Sequence, residues 1–350
     1  MKNRFLSLLS ILIFVLLSVI GLAACSPAAS TGAVPATETL SAPQETPESP
    51  IEPSPTPSPE LPTVLFMIGT ESDPEMAARV EEALRELAAG SQHDLKVLQG
   101  LSEDQITPNV SIVVSLGQDL DIGDAAARAP GTNFVVIAQP AAVPGANLSV
   151  IGEPAADRER QAFMAGYLAA LLSDDYKVAA LVPPEGEWRS SLLDSFVVGA
   201  EFFCGSCKPL YPPYMDFPQW YDLTEDQAVD GYRPTVDAMA ANGVEIVYVP
   251  GPLAAPELLT YLGELGIRVI GEKSPDLIRN NWVGTVVADP VPVLRNRWSD
   301  WLAGVGGEQL LGIITLIDTD AGLISEGRLR LFDEMNVDLE TGLIFPRSVP

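Results

Sequence analysis

The sequence predicts an α/β protein built on doubly wound parallel sheet, and three observations carry that prediction. Short, continuously apolar runs recur down the chain, such as TVLFMIG at 63–69, SIVVSL at 111–116 and NFVVIA at 133–138, as strands buried on both faces require. Amphipathic stretches of helical period separate them, and this alternation implies right-handed parallel crossovers. The 288 residues from 63 to 350 are enough for one large core or two smaller ones.

From its start, the chain carries Lys2 and Arg4, an apolar run over 5–20, and then Leu22-Ala23-Ala24-Cys25. A basic head, an apolar core and a small-residue cleavage site describe a secretory signal peptide over 1–24. The alternative is an uncleaved anchor, since the run is nearly long enough to span a bilayer. Leu-Ala-Ala-Cys looks like a bacterial lipobox, which implies acylation of Cys25. Either outcome leaves the remainder outside the cytoplasm and tethered to a membrane. Residues 26–62 hold ten prolines, five glutamates and no lysine or arginine. With Cys25 they are expected to form a disordered linker over 25–62, extended at about 3.1 Å per residue and open to O-glycosylation.

A formal net charge of −27 repels nucleic acid and anionic headgroups and argues against a phosphorylated ligand. The single histidine, His93, excludes His-dependent zinc clusters and argues against a Ser-His-Asp triad. Cys204 and Cys207 form a Cys-Gly-Ser-Cys loop. Outside the cell this reads as a local disulfide, with free thiols or a thioredoxin-like pair as alternatives. No catalytic base, nucleophile or metal set is visible, so no enzyme and no cofactor is expected.

In the first half, strand 63–69 leads to Asp73-Pro74, an N-cap followed by the favoured first-turn proline, and to a helix over 75–89 closed by Gly90. Strands follow at 94–98, 111–116 and 133–138, with a short helix ending at Arg128. Ligands of such sheets bind beyond the carboxyl ends of the strands. Thr70, Asp73, Ser115, Gly117 and Gln139 therefore form one candidate wall. The competing reading of Asp73 is a helix cap and nothing more.

A strand over 148–151 then turns at Gly152 and Pro154 into a helix with Phe163, Met164, Tyr167, Leu168, Leu171 and Leu172 on one face. Gly166 costs roughly 1 kcal/mol against alanine in mid-helix, and its expected use is to let another backbone come close. A strand over 177–182 follows. Glu159, Ala162-Phe163, Ala165-Gly166-Tyr167-Leu168-Ala169-Ala170 and Lys177-Val178 resemble the basic membrane lipoprotein family. These are solute-binding lipoproteins of ABC importers, several of which bind purine nucleosides. The resemblance extends over 63–346, including "GVEIVYVPG…ELGIRVIGE" against the family's "GADVIFxxAG…GxxVIGVD".

That resemblance implies the type I periplasmic-binding-protein fold, with two doubly wound parallel-sheet lobes joined by hinge crossovers. One lobe is expected from 63–175 plus about 288–308, with the Gly166 helix as its last, and the other from 176–287 plus about 309–350. The ligand contacts depart from the family. No aromatic stands in the first loop, the family's ribose-holding aspartate falls near Glu272-Lys273, and its lysine falls at Ala288.

The second half offers a loop at Trp188, a helix over 190–203, and YPPYMDFPQWY at 211–221, which no periodic element explains. Aromatics in such a loop either stack on planar ligands or cover the surface; Trp220 is the stacking candidate. A helix over 232–242, a strand over 245–249 turning at Gly251, a helix over 255–265 and a strand over 268–271 ending at Glu272 follow. A strand over 283–288, a helix over 291–303 with Trp298 and Trp301 as core or hinge packing, and a long strand over 310–317 complete the pattern. Trp188, Trp220, Gly251 and Glu272 make the opposite wall.

These readings together describe a monomeric, lipid-anchored receptor. It would close on a small neutral polar solute, a purine nucleoside where the resemblance extends to ligand class, and present both lobes to an ABC permease. The rival is a sensor or interaction module whose pocket has degenerated, as the missing first-loop and Ala288 contacts favour.

Overall fold

The continuous apolar runs form buried strands, and the helices between them cover both faces of two sheets. The computed structural model describes residues 60–347 apart from 71, 101, 118–121, 140 and 277–279. The signal peptide, Cys25 and the linker up to residue 59 lie outside the described residues.

In the first half, β1 (Thr63–Ile68), β2 (Asp94–Leu98), β3 (Val110–Leu116), β4 (Asn133–Ile137) and β5 (Leu148–Ile151) alternate with α1 (Pro74–Gly90) and α2 (Ile122–Arg128). Asp73 caps α1 by accepting from the N–H of Glu75 at 2.9 Å and of Met76 at 3.5 Å, which satisfies donors the first turn leaves open. Val80, Leu84 and Ala88 of α1 pack on one face of the sheet, with Phe66, Val114 and Val135. Met67, Phe134 and Val136 fill the other face against Ile122, Ala125 and Ala126 of α2.

The chain then runs through α3 (Pro154–Leu172), β6 (Val178–Val182), α4 (Glu187–Cys204), β7 (Gln219–Asp222), α5 (Glu225–Val229), α6 (Arg233–Ala241), β8 (Ile246–Val249), α7 (Pro256–Glu264), β9 (Arg268–Gly271) and β10 (Trp282–Asp289). It closes with α8 (Pro290–Leu302), β11 (Gln309–Leu310), β12 (Ile313–Ile317) and α9 (Glu326–Glu340). One sheet has the order β11-β5-β4-β3-β1-β2 and the other β12-β10-β9-β8-β6-β7. All pairings are parallel except β12 on β10, which is antiparallel. Three segments pass between the sheets: Gly152 to Pro154, Asp289 to Pro290, and Leu311 to Gly312.

Two expectations differ from this arrangement. The sequence places the Gly166 helix, α3, in the first lobe up to residue 175, yet its side chains from Ala162 to Leu172 pack with β6, β8, β10, α4 and α9 of the second. The first crossover is therefore at Gly152. A helix buried nearly all round fits between any sheet and any second helix, and periodicity cannot name which. The long strand over 310–317 is two strands in different sheets, broken at Leu311-Gly312. A Cβ on Gly312 would lie 2.9 Å from the Ala288 carbonyl carbon, so the third crossover passes tightly against the end of β10.

Other expectations match. Gly166 serves a close approach: α3 and α4 cross with Gly166 against the Phe196 carbonyl and Gly199 against the Phe163 carbonyl. Trp298 and Trp301 are core residues of the first lobe. Cys204 and Cys207 are joined as a disulfide at the end of α4.

Candidate functional site

The carboxyl ends of β1, β3, β4 and β5 face those of β9 and β10 across a cleft of about 570 Å³. Its floor is the set of crossovers, through Gly152, Pro290 and Gly312. Ser72, Asp73 and Met76 enter from the first lobe, and Glu272, Lys273 and Ala288 from the second. The lining mixes these polar groups with Leu116, Ile137, Ile151, Val287 and Ile317, the composition expected of a small-molecule site.

Glu272 is held in place from behind. Tyr248, stacked on Phe196 in the second core, donates its hydroxyl to Oε1, and the Gly251 N–H donates to Oε2 at 2.9 Å. Burial raises the Glu272 carboxyl above its usual range, opposed by those two donors and by Arg158. Burial and the Glu272 charge push the Tyr248 hydroxyl well above its ordinary value, so it stays a donor. The Arg158 guanidinium lies 5.8 Å from the Trp188 ring centroid, within reach of a cation–π contact. Across the cleft, Arg79 of α1 is ion-paired with Asp289, whose other role is to cap α8 by accepting from the Val291 N–H at 2.9 Å.

At the floor, Asp157 and Arg160 stand one turn apart on α3, both buried. Asp157 Oδ2 accepts from the Glu153 N–H at 3.0 Å, and Arg160 Nη1 donates to the Gly312 carbonyl at 2.7 Å. The first and third crossovers are thus tied through one helical turn. Burial pushes the Asp157 carboxyl up to about 6, against the opposing pull of Arg160 and nearby backbone N–H groups.

Of the residues singled out from sequence, Asp73, Gly117 and Glu272 line the cleft. Gly251 braces Glu272 from behind. Ser115 and Gln139 bond each other at 3.2 Å, away from the lining, and Thr70 is exposed outside it. Trp188 sits behind Arg158, packed against the second core. Trp220 is not at the cleft: it lies on β7, the edge strand of the second sheet, 48% exposed. There it lines a separate depression with Tyr214 and Phe217. The 211–221 segment ends in a strand that pairs with β6, which carries its aromatics to the sheet's outer edge. No aromatic is among the described residues lining the cleft.

Arg79, Asp157, Arg158 and Lys273 line the cleft and were not singled out. Asp157 and Arg158 lie in the first turns of α3, which begins three residues after β5 ends, so the rule that ligands sit beyond strand carboxyl ends was the signal available for them. Among the described residues, no cluster of histidine, cysteine, aspartate or glutamate is arranged to hold a metal ion.

No protein-family model and no curated protein matches the chain. Solved structures do. The chain is similar to a transcriptional activator of the comK gene from Bacillus halodurans, at 15% identity and a TM-score of 0.56, over 81% of this chain and 100% of that one. It is also similar to an ABC transporter solute-binding protein from Aeropyrum pernix K1, at 14% identity and a TM-score of 0.48, over 81% and 92% of the two chains. A third is an ABC transporter periplasmic solute-binding protein from Actinobacillus succinogenes 130z with bound D-allose, at 15% identity and 0.45, over 74% and 98%. At such identities the likeness concerns fold alone. With two parallel-sheet α/β lobes joined by three crossovers, the fold is that of the type I periplasmic-binding proteins.

Proposed function

We propose that this chain is an extracytoplasmic solute-binding protein whose two lobes close on one small, polar, neutral molecule. The observation that supports this reading most directly is the cleft itself. It holds about 570 Å³ at the carboxyl ends of both sheets, with apolar walls and a few fixed polar groups. Anchoring through an acylated Cys25, delivery to an ABC permease and kinship with the basic membrane lipoproteins belong to the same proposal. Within it, hydroxylated solutes such as sugars fit the lining better than a purine base, because no aromatic plate stands among the described lining residues. A purine nucleoside remains the solute that the family resemblance implies.

The test is a thermal-shift screen of the mature protein against monosaccharides and nucleosides. A ligand at one hundred times its dissociation constant adds about 2.7 kcal/mol of stability, or roughly 4–5 °C in Tm for a chain of this size. A flat response across the whole panel refutes the receptor reading and favours the sensor module, for which the apolar Ala288 in the cleft wall is the supporting observation. Anchoring is tested separately: Cys25→Ala is expected to release the protein from the membrane fraction, and undiminished retention counts against acylation.

A further inference from the structure

We propose that Asp157 is the residue on which the solute is anchored, by accepting a hydrogen bond from a solute hydroxyl, and through which occupancy reaches the hinge. This rests on the solute-binding reading above and names the contact at its centre. Asp157 lines the cleft floor yet is only 8% exposed. Its Oδ2 is engaged by the Glu153 N–H, whereas Oδ1 is buried with no hydrogen-bond partner. Arg160 Nη1 stands 3.6 Å from that oxygen, close enough to pair in charge but not to donate. The Gly312 N–H draws on the carboxyl without closing a bond to Oδ1, and a desolvated carboxylate oxygen left short of donors is costly. An incoming hydroxyl facing it would gain a charge-assisted bond of the stronger kind.

The surroundings choose the class of solute. Glu153 lies on the same turn, and Asp73 and Glu272 line the same cleft. Arg79 is occupied by Asp289, Arg158 faces Glu272, and Arg160 is shared with Glu340 of α9 at 3.8 Å. The third crossover offers Asp157 only the backbone of Gly312. With Lys273 the one other cation among the described lining residues, against Asp73, Glu75, Asp157 and Glu272, an anion meets more carboxylates than cations, whereas a neutral hydroxyl gains Oδ1 once binding uncovers that buried oxygen. Because Asp157 holds the first crossover and its neighbour Arg160 holds the third, filling Oδ1 fixes the helical turn that joins them. The hydroxyl belongs either to a free sugar or to the ribose of a nucleoside.

The experiment titrates the mature protein with D-ribose, D-glucose, D-galactose, adenosine and guanosine by calorimetry, then repeats the binder with Asp157→Asn and Asp157→Ala. The sugar and nucleoside arms tell the two sources apart. Loss of about tenfold or more in affinity is expected in both variants, the scale of a charge-assisted hydrogen bond. Wild-type affinity is expected to fall from about pH 7.5 to about pH 5, as Asp157 protonates and the acceptor becomes a donor, while Asp157→Asn stays flat. The wild-type profile needs no variant, and near-UV circular dichroism checks that the variants fold. Equal affinity in wild type and Asp157→Asn overturns this inference alone. Wild-type protein that binds none of the five overturns it together with the receptor reading.

Discussion

Gly199→Val is expected to abolish the native fold. At the α3–α4 crossing two helix backbones come into direct contact, and two glycines make it possible. A Cβ at Gly199 would fall inside 3.0 Å of the Phe163 carbonyl, and one at Gly166 inside 3.0 Å of the Phe196 carbonyl. Both obstacles are backbone, so no rotamer change relieves them. The helices would have to separate, exposing Phe163, Phe196 and Leu168, all wholly buried. Overpacking in a core that can adjust costs about 1–3 kcal/mol. Here the core cannot adjust, and the loss is expected to exceed about 5 kcal/mol, the lower end of native stability. Gly90→Ala is the control, with nothing within 4 Å of the new methyl; it should be neutral or slightly stabilising. Circular dichroism and urea unfolding of the two variants give the answer. A Gly199→Val protein with wild-type unfolding would mean that the two helices do not pack this closely.

Arg160→Ala is expected to cost about 3–5 kcal/mol at neutral pH, the penalty for stranding a buried charge. It removes the guanidinium that neutralises Asp157 and leaves the Gly312 carbonyl without its donor. The pH dependence carries a definite sign. The Asp157 carboxyl has its folded pKa raised from 3.8 to about 6. Its contribution to stability is therefore fully present below the unfolded value and is lost as pH rises through the folded one. Removing Arg160 takes away an interaction that favours the anion, so the variant suffers most where Asp157 must ionise. Urea denaturation at about pH 4.5 and about pH 7.5 should show the larger deficit at the higher pH. A deficit independent of pH, or larger in acid, would show that Arg160 supports the hinge through packing alone.

Much of the architecture was legible because strand burial leaves a plain mark. TVLFMI, VSIVVSL and NFVVI can be so largely apolar on both sides only if both sheet faces are covered, and each is an interior strand. Asp73-Pro74 announced a cap that the structure contains. Gly166 announced a close approach without naming the partner. The site was less legible. Asp73, Gly117 and Glu272 were reachable from the rule about strand ends, but that rule places a backbone and not a side chain. Ser115 and Gln139 satisfy each other instead of facing the cleft. Trp220 looked like a stacking plate by its type and loop, and pairing with β6 took it to the far edge.

The sequence by itself determined the alternation of strand and helix, the caps and turns, and an acidic chain of net charge −27. These follow from local preferences and from patterns of period two or 3.6, which short windows contain in full. Only the tertiary structure decided that α3 belongs to the second sheet, that 310–317 divides between two sheets, and that Asp157 and Arg160 meet Gly312 some 150 residues downstream. Those outcomes depend on which surfaces can bury one another at long range, and periodicity states that a face must be covered without saying by what.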